Sequence, residues 1–137
     1  MRAQIAAPAI VTTLACAVPT ALAHHSYAMF DMQKELTLEG TVREYQWTNP
    51  HIWIQLLVKD ASGKEVEWGI ECNSTSTMGR VGWTRKTLKA GDHIAVVIHP
   101  LKTSAEPGGA LVSATIDGRT LTESNVGAQY AGAGSAP

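Results

Sequence analysis

The chain has 137 residues, 17% of them charged, and a formal charge of −1 at neutral pH. That balance excludes a protein whose affinity rests on neutralising a polyanion, since nucleic-acid binders draw most of their strength from a basic excess. The length fits one compact domain behind a short leader, and past that leader no apolar run is long enough to span a bilayer.

The leader opens with Arg2 and the apolar stretch IAAPAIVTTLACAV, which Pro8 interrupts and which is too short for a permanent span. Ala21 and Ala23 occupy the two positions that signal peptidase reads, and Pro19 ends the leader helix just upstream. Cleavage after Ala23 is therefore expected, giving a signal peptide over residues 1–23 and an exported chain that starts at His24. A lipoprotein signal ending at Cys16 is the rival, but it places Thr13 where an aliphatic residue belongs. Loss of the leader removes Arg2 and Cys16, which shifts the charge to −2 and leaves Cys72 alone. The exported domain then has no internal disulfide and depends on its hydrophobic core.

Period-two alternation marks the middle of the chain as strands. In LTLEGTVREYQW, Leu36, Leu38, Gly40 and Val42 share one face, whereas Tyr45 and Trp47 have the other parity; a bulge near Arg43 or Glu44 returns them to the core. After the TNP turn, Ile52, Ile54, Leu56 and Val58 form an apolar face opposite His51, Trp53 and Gln55. DASGK leads into EVEWGIEC, with Val66, Trp68, Ile70 and Cys72 inward and Glu65, Glu67 and Glu71 on a solvated face. Alternation stops in NSTSTMGRVG, where Asn or Ser caps a short helix. HIAVVIH supplies a fourth strand with Ile94, Val96 and Ile98 inward, and GGALVSATIDG a fifth centred on Val112, Ala114 and Ile116.

Five strands with one helix between the third and fourth is the ordering of an OB-fold, so the fold expected is a mainly β, small five-stranded OB-fold-like barrel over residues 24–121. Gly40 falls where a strongly coiled first strand needs a position without a side chain. Residues 122–137 are Gly/Ala-rich, lack a repeating apolar face, and are expected to form a flexible tail.

The segments AHHSYAMFD, LEGTVREYQWTNPHIWI, EWGIE, GWTRKTLKAGD and HPLKTSAEPGGAL together resemble a family of small exported bacterial proteins of unknown function, whose members share a histidine pair after the leader and a WTNPH segment. The resemblance covers roughly residues 23–121. It implies a periplasmic or secreted protein with a small β-rich domain, and it carries no activity or catalytic residue with it.

Function must be sought in side-chain chemistry. A chain beginning at His24 presents a terminal amine and an imidazole that together chelate one metal ion, and the amine gives up its proton near neutral pH at low cost. Copper(II) suits such nitrogen ligands, and His25 offers a competing mode through its imidazole and the intervening amide. His51, beginning the second strand after the turn, is the best third nitrogen. His93 and His99 are about 20 Å apart along one strand and cannot share an ion. Met29 and Met32 favour copper(I), and Asp31 a harder ion. Against the metal reading stand a solvated terminus for His24 and His25, and a turn-stabilising role for His51.

Among the aromatics, Trp68 belongs to the core, while the parity of Trp53 puts it on the barrel's outer face or at a mouth, where with Trp47 it is a candidate ligand or partner surface; cover of a barrel end by the N-terminal arm is the alternative. Arg80, Arg85, Lys86 and Lys89 surround the helix end and the following turn, where they face an anionic envelope component or balance local carboxylates. Cys72 reads as a small buried hydrophobe, and no hydrolase, phosphate-loop or dinucleotide motif is present, so no enzyme is expected. The leading expectation is a periplasmic copper carrier or sequestering protein using His24 with His25 or His51. A metal-free barrel module docking an envelope protein or oligomeric ligand is second, and a histidine-brace oxidase third.

Overall fold

The computed structural model describes residues 27–103 and 106–123, over which the chain is mainly β. A single 3-10 turn, Tyr27–Met29, precedes β1 (Leu36–Gln46), β2 (Trp53–Lys59), β3 (Glu65–Glu71), α1 (Thr75–Arg80), β4 (His93–Pro100), β5 (Gly108–Ile116) and β6 (Arg119–Thr122). The strands lie in the order β3-β2-β1-β4-β5-β6, and a parallel pairing of β3 with β5, from Gly69↔Gly108 to Glu71↔Ala110, closes the first five into a barrel. The mainly β class, the five-stranded barrel and the short helix between β3 and β4 are those anticipated, with β6 added to them.

Closure rests on bends in β1. The pairing with β2 shifts between Val42 and Glu44, so Arg43 is the extra residue of a bulge, and Tyr45 and Trp47 come back to pack against the core. Gly40 permits the tight coil: a Cβ there would collide with the carbonyl oxygen of Leu57 on β2. Ile54, Leu56, Ile70, Ile94, Val96 and Ile98 are fully buried along the alternating faces, each contributing about 1.5–3 kcal/mol relative to exposure.

The fifth strand corrects the expected pattern. Its register with β4 shifts between Val97 and Ile98, pairing Val97 with Ser113 and Ile98 with Leu111, so Val112 is the extra residue. Leu111 and Ala114 therefore enter the core, Val112 is only half-buried, and Ile116 packs against the core from its edge. A sixth strand also extends the sheet. Asp117 and Gly118 both have positive φ, 49° and 77°, which makes the tight turn that sends β6 back along β5.

Ser74 caps α1, its hydroxyl accepting from the Thr77 N–H at 3.3 Å. The β3–β4 connection adds Met78, Trp83 and Leu88 to the core, and Trp83 Nε1 donates to the Thr122 carbonyl at 2.8 Å, fastening this connection to β6. At the start of the described chain, Asp31 N–H donates to Pro100 O at 2.8 Å and Lys102 N–H to Met29 O at 2.9 Å. Phe30 bridges to Leu101 and is 5% exposed, so this arm packs beside the β4–β5 end of the barrel.

Candidate functional site

His51 lies just before β2, where the chain is already paired with the residues that follow β3: Ile52 N–H donates to Asn73 O at 3.2 Å, and Cys72 N–H to Ile52 O at 2.8 Å. Its Nδ1 is 3.1 Å from the Cys72 carbonyl and 3.2 Å from Glu71 Oε1. A carbonyl oxygen only accepts, so Nδ1 carries the proton, and in the neutral ring Nε2 is the basic nitrogen. Such a contact holds ring plane and tautomer together, as a carbonyl or carboxylate does behind a metal-ligating histidine.

The segment before His51 is spent on local structure. Thr48 Oγ1 donates to the His51 carbonyl at 3.1 Å, and Asn49 Oδ1 accepts from both the N–H and the hydroxyl of Thr75, at 3.1 and 2.9 Å. The TNPH turn is thereby tied to the first turn of α1. The Asn49–Pro50 peptide is cis. Trp47 packs against the core beside Tyr45, the ring centroids 6.0 Å apart at 59°.

Trp53 faces outward and is half-buried, cross-strand from Glu71. Its ring edge comes within 3.9 Å of the place a Cβ on Gly69 would take, with Gln55 Oε1 on the same side. The absence of a side chain at Gly69 thus lets the indole lie across β3. An aromatic plane bordered by an amide and a carboxylate can stack on a ligand while hydrogen-bonding its edge.

Carboxylates gather where β3 ends. Burial pushes the Glu123 carboxyl up to about 7, with hydrogen bonds from Asn73 opposing the shift and the Glu71 charge reinforcing it. Burial likewise drives the Cys72 thiol well above its ordinary range, and Glu123 and Glu71 add to that effect. A thiol so placed stays protonated, and Cys72 is the buried hydrophobe expected of it.

The other expected ligands are dispersed. His93 is exposed at the start of β4, whereas His99 Nδ1 donates to Lys34 O at 2.7 Å. Met29 and Met32 are exposed, and Asp31 pairs with Lys34 at 3.1 Å. Among the described residues, no group of three or more His, Cys, Asp and Glu side chains is placed to hold a metal ion. His24 and His25, like the expected leader and most of the expected tail, lie outside the described residues. No helix among the described residues is long and apolar enough to cross a membrane.

A family model described as a family of unknown function, DUF6152, matches residues 10–110, most of the chain. The chain belongs to DUF6152. That membership bears out the resemblance to a family of unknown function, and it brings no activity or ligand to this DUF6152 chain. No curated protein matches it. Two residues of the candidate site in this DUF6152 chain had no clear sequence signal. Asn49 anchors the turn, and the asparagine before a proline marked a turn without showing what it would bind; Glu123, in the segment expected to be tail, carried no signal that it would be buried.

Proposed function

We propose that the protein is an exported, periplasmic metal-binding protein that carries or sequesters copper through a site begun by His24 and His25 and completed by His51. The observation that carries this reading is the setting of His51: Nδ1 is held by the Cys72 carbonyl and the Glu71 carboxylate, which makes Nε2 the basic nitrogen of the neutral ring. The described residues do not contain a full ligand set, so the terminal amine and imidazole of His24, exposed by cleavage after Ala23, supply the rest of the site. The arm that leads from them is fixed to the barrel at Phe30 and Asp31. Residues 24–26, which precede the Tyr27–Met29 turn, add at most about 11 Å of reach beyond it.

Mass spectrometry of the exported protein locates its first residue, and copper(II) titration compares it with His24→Ala, His51→Ala and a form retaining one extra N-terminal residue. Tight binding by the native form and loss of about tenfold or more in each altered form is expected. Equal, weak binding by all four overturns the copper reading.

The outward-facing Trp53, lying over Gly69 beside Gln55 and Glu71, favours a second reading, a metal-free module that docks an envelope protein or oligomeric ligand on the β2–β3 face. Retention of an envelope partner by the native protein and not by Trp53→Ala is its signature.

A further inference from the structure

The connection following α1 and the β5–β6 hairpin enclose an open cleft of about 440 Å3, with Thr84, Lys86 and Thr87 on one wall and Ile116, Arg119 and Leu121 on the other. We propose that this cleft binds a phosphate group, carried by a soluble phosphate ester or by a lipid headgroup. The proposal is independent of the copper reading and uses none of its residues.

The walls are assembled from segments distant in the chain. Lys86 belongs to the basic run of the connection, and Arg119 arrives from β6, a strand that alternation did not reveal. Arg119 Nη2 lies 3.8 Å from the point a Cβ on Gly82 would occupy, so the guanidinium extends over a backbone position with positive φ and no side chain. Lys86 and Arg119 thus both line one cleft. Three basic side chains are already paired, Arg43 with Glu67 at 2.9 Å, Lys34 with Asp31 at 3.1 Å and Lys89 with Asp92, whereas Lys59, Lys64 and Lys102 line no such cleft and form no ion pair among the described residues. Among the described residues, Lys86 and Arg119 take part in no ion pair, nor do the neighbouring Arg80 and Arg85. Asp117 at the hairpin tip is the acid of the lining, and Lys89 lies close enough to feel its charge.

The threonines point to an oxyanion. Thr84 N–H donates to Thr87 Oγ1 at 2.7 Å, and Lys86 N–H donates to Thr84 Oγ1 at 3.2 Å. Each hydroxyl oxygen therefore already accepts from the backbone and keeps its own proton to give. The two oxygens are 3.3 Å apart, so only one hydroxyl can donate to the other. The second proton goes elsewhere, and a hydroxyl donor in a cleft also lined by a lysine and an arginine matches the several acceptor oxygens of phosphate. Ile116 and Leu121 add an apolar surface on which the carbon part of an ester can rest. The volume lies within the range of small-ligand sites.

The test follows amide resonances of the purified, 15N-labelled protein during titration with inorganic phosphate, and its retention on phosphatidylcholine vesicles with and without phosphatidylglycerol. Saturable shifts at Gly82, Thr87 and Gly118 that weaken with added salt are expected, as is a loss of about tenfold in affinity for the double variant Lys86→Gln/Arg119→Gln with its remaining spectrum unchanged. Phosphatidylglycerol-dependent retention assigns the group to a lipid headgroup. Phosphate shifts without retention assign it to a soluble ester. Absence of both responses at low ionic strength, or a double variant that responds like the native protein, overturns the proposal.

Discussion

Glu123 shows how one side chain couples the barrel to pH. It follows β6 at the point where the end of β3 gives way beside β5, with its N–H donating to Val112 O at 3.0 Å. Its folded pKa of about 7 exceeds the value of 4.5 for an unperturbed glutamate, mainly because burial disfavours the charge. Between those values the folded state holds more protons than the unfolded chain. Its contribution to stability is accordingly complete below about 4.5 and is lost as pH rises through about 7. Urea midpoints measured at pH 5 and pH 8 are expected to show Glu123→Gln removing a decline of roughly 1–3 kcal/mol that the native protein undergoes across that interval. An identical decline in both proteins refutes this assignment. Nothing local to TLTES announces such a residue, because its environment is made by Asn73 and Glu71 from another part of the chain. The position of His51 was legible from strand parity, whereas its partners depended on the register of β2 with β3, which no single strand records.

Among the elements, the β1–β2 connection does more than reverse the chain. Asn49 Oδ1 accepts two hydrogen bonds from Thr75, which joins the turn to the start of a six-residue helix too short to persist alone. Asn49→Ala is expected to cost about 1–2 kcal/mol by urea denaturation, and Asn49→Asp, which keeps the acceptor, clearly less; equal losses would show that the carbonyl is not the anchor. Most elements could be read from alternation because one face of β2, β3 and β4 packs a closed core. The β1 bulge was legible for the same reason, since Tyr45 and Trp47 had the wrong parity for aromatics that needed cover. In β5 the corresponding shift was hidden, because Leu111 and Val112 are both aliphatic and either parity gives an acceptable face. β6 holds one buried residue, Leu121, which is too little for a period to show. The Asp117-Gly118 pair was the available sign of that hairpin.

For the whole molecule, the consequence of a closed barrel is that access to its interior requires opening many long-range strand pairs together. Cys72, 1% exposed and held protonated, sits inside that closure. Alkylation of Cys72 by iodoacetamide at pH 8, followed by mass spectrometry, is expected to run about a hundredfold or more slower in buffer than in denaturing urea. Comparable rates would mean that the β3 end opens on its own. β6 covers the backbone of β5 from Ser113 to Ile116. Stripped of that cover, the same stretch is a row of open amide donors and acceptors onto which a strand from another molecule can add. A ribbon of four residues therefore shields that edge, and a proteolytic nick at the Asp117–Gly118 tip is expected to raise concentration-dependent self-association, which light scattering before and after cleavage checks.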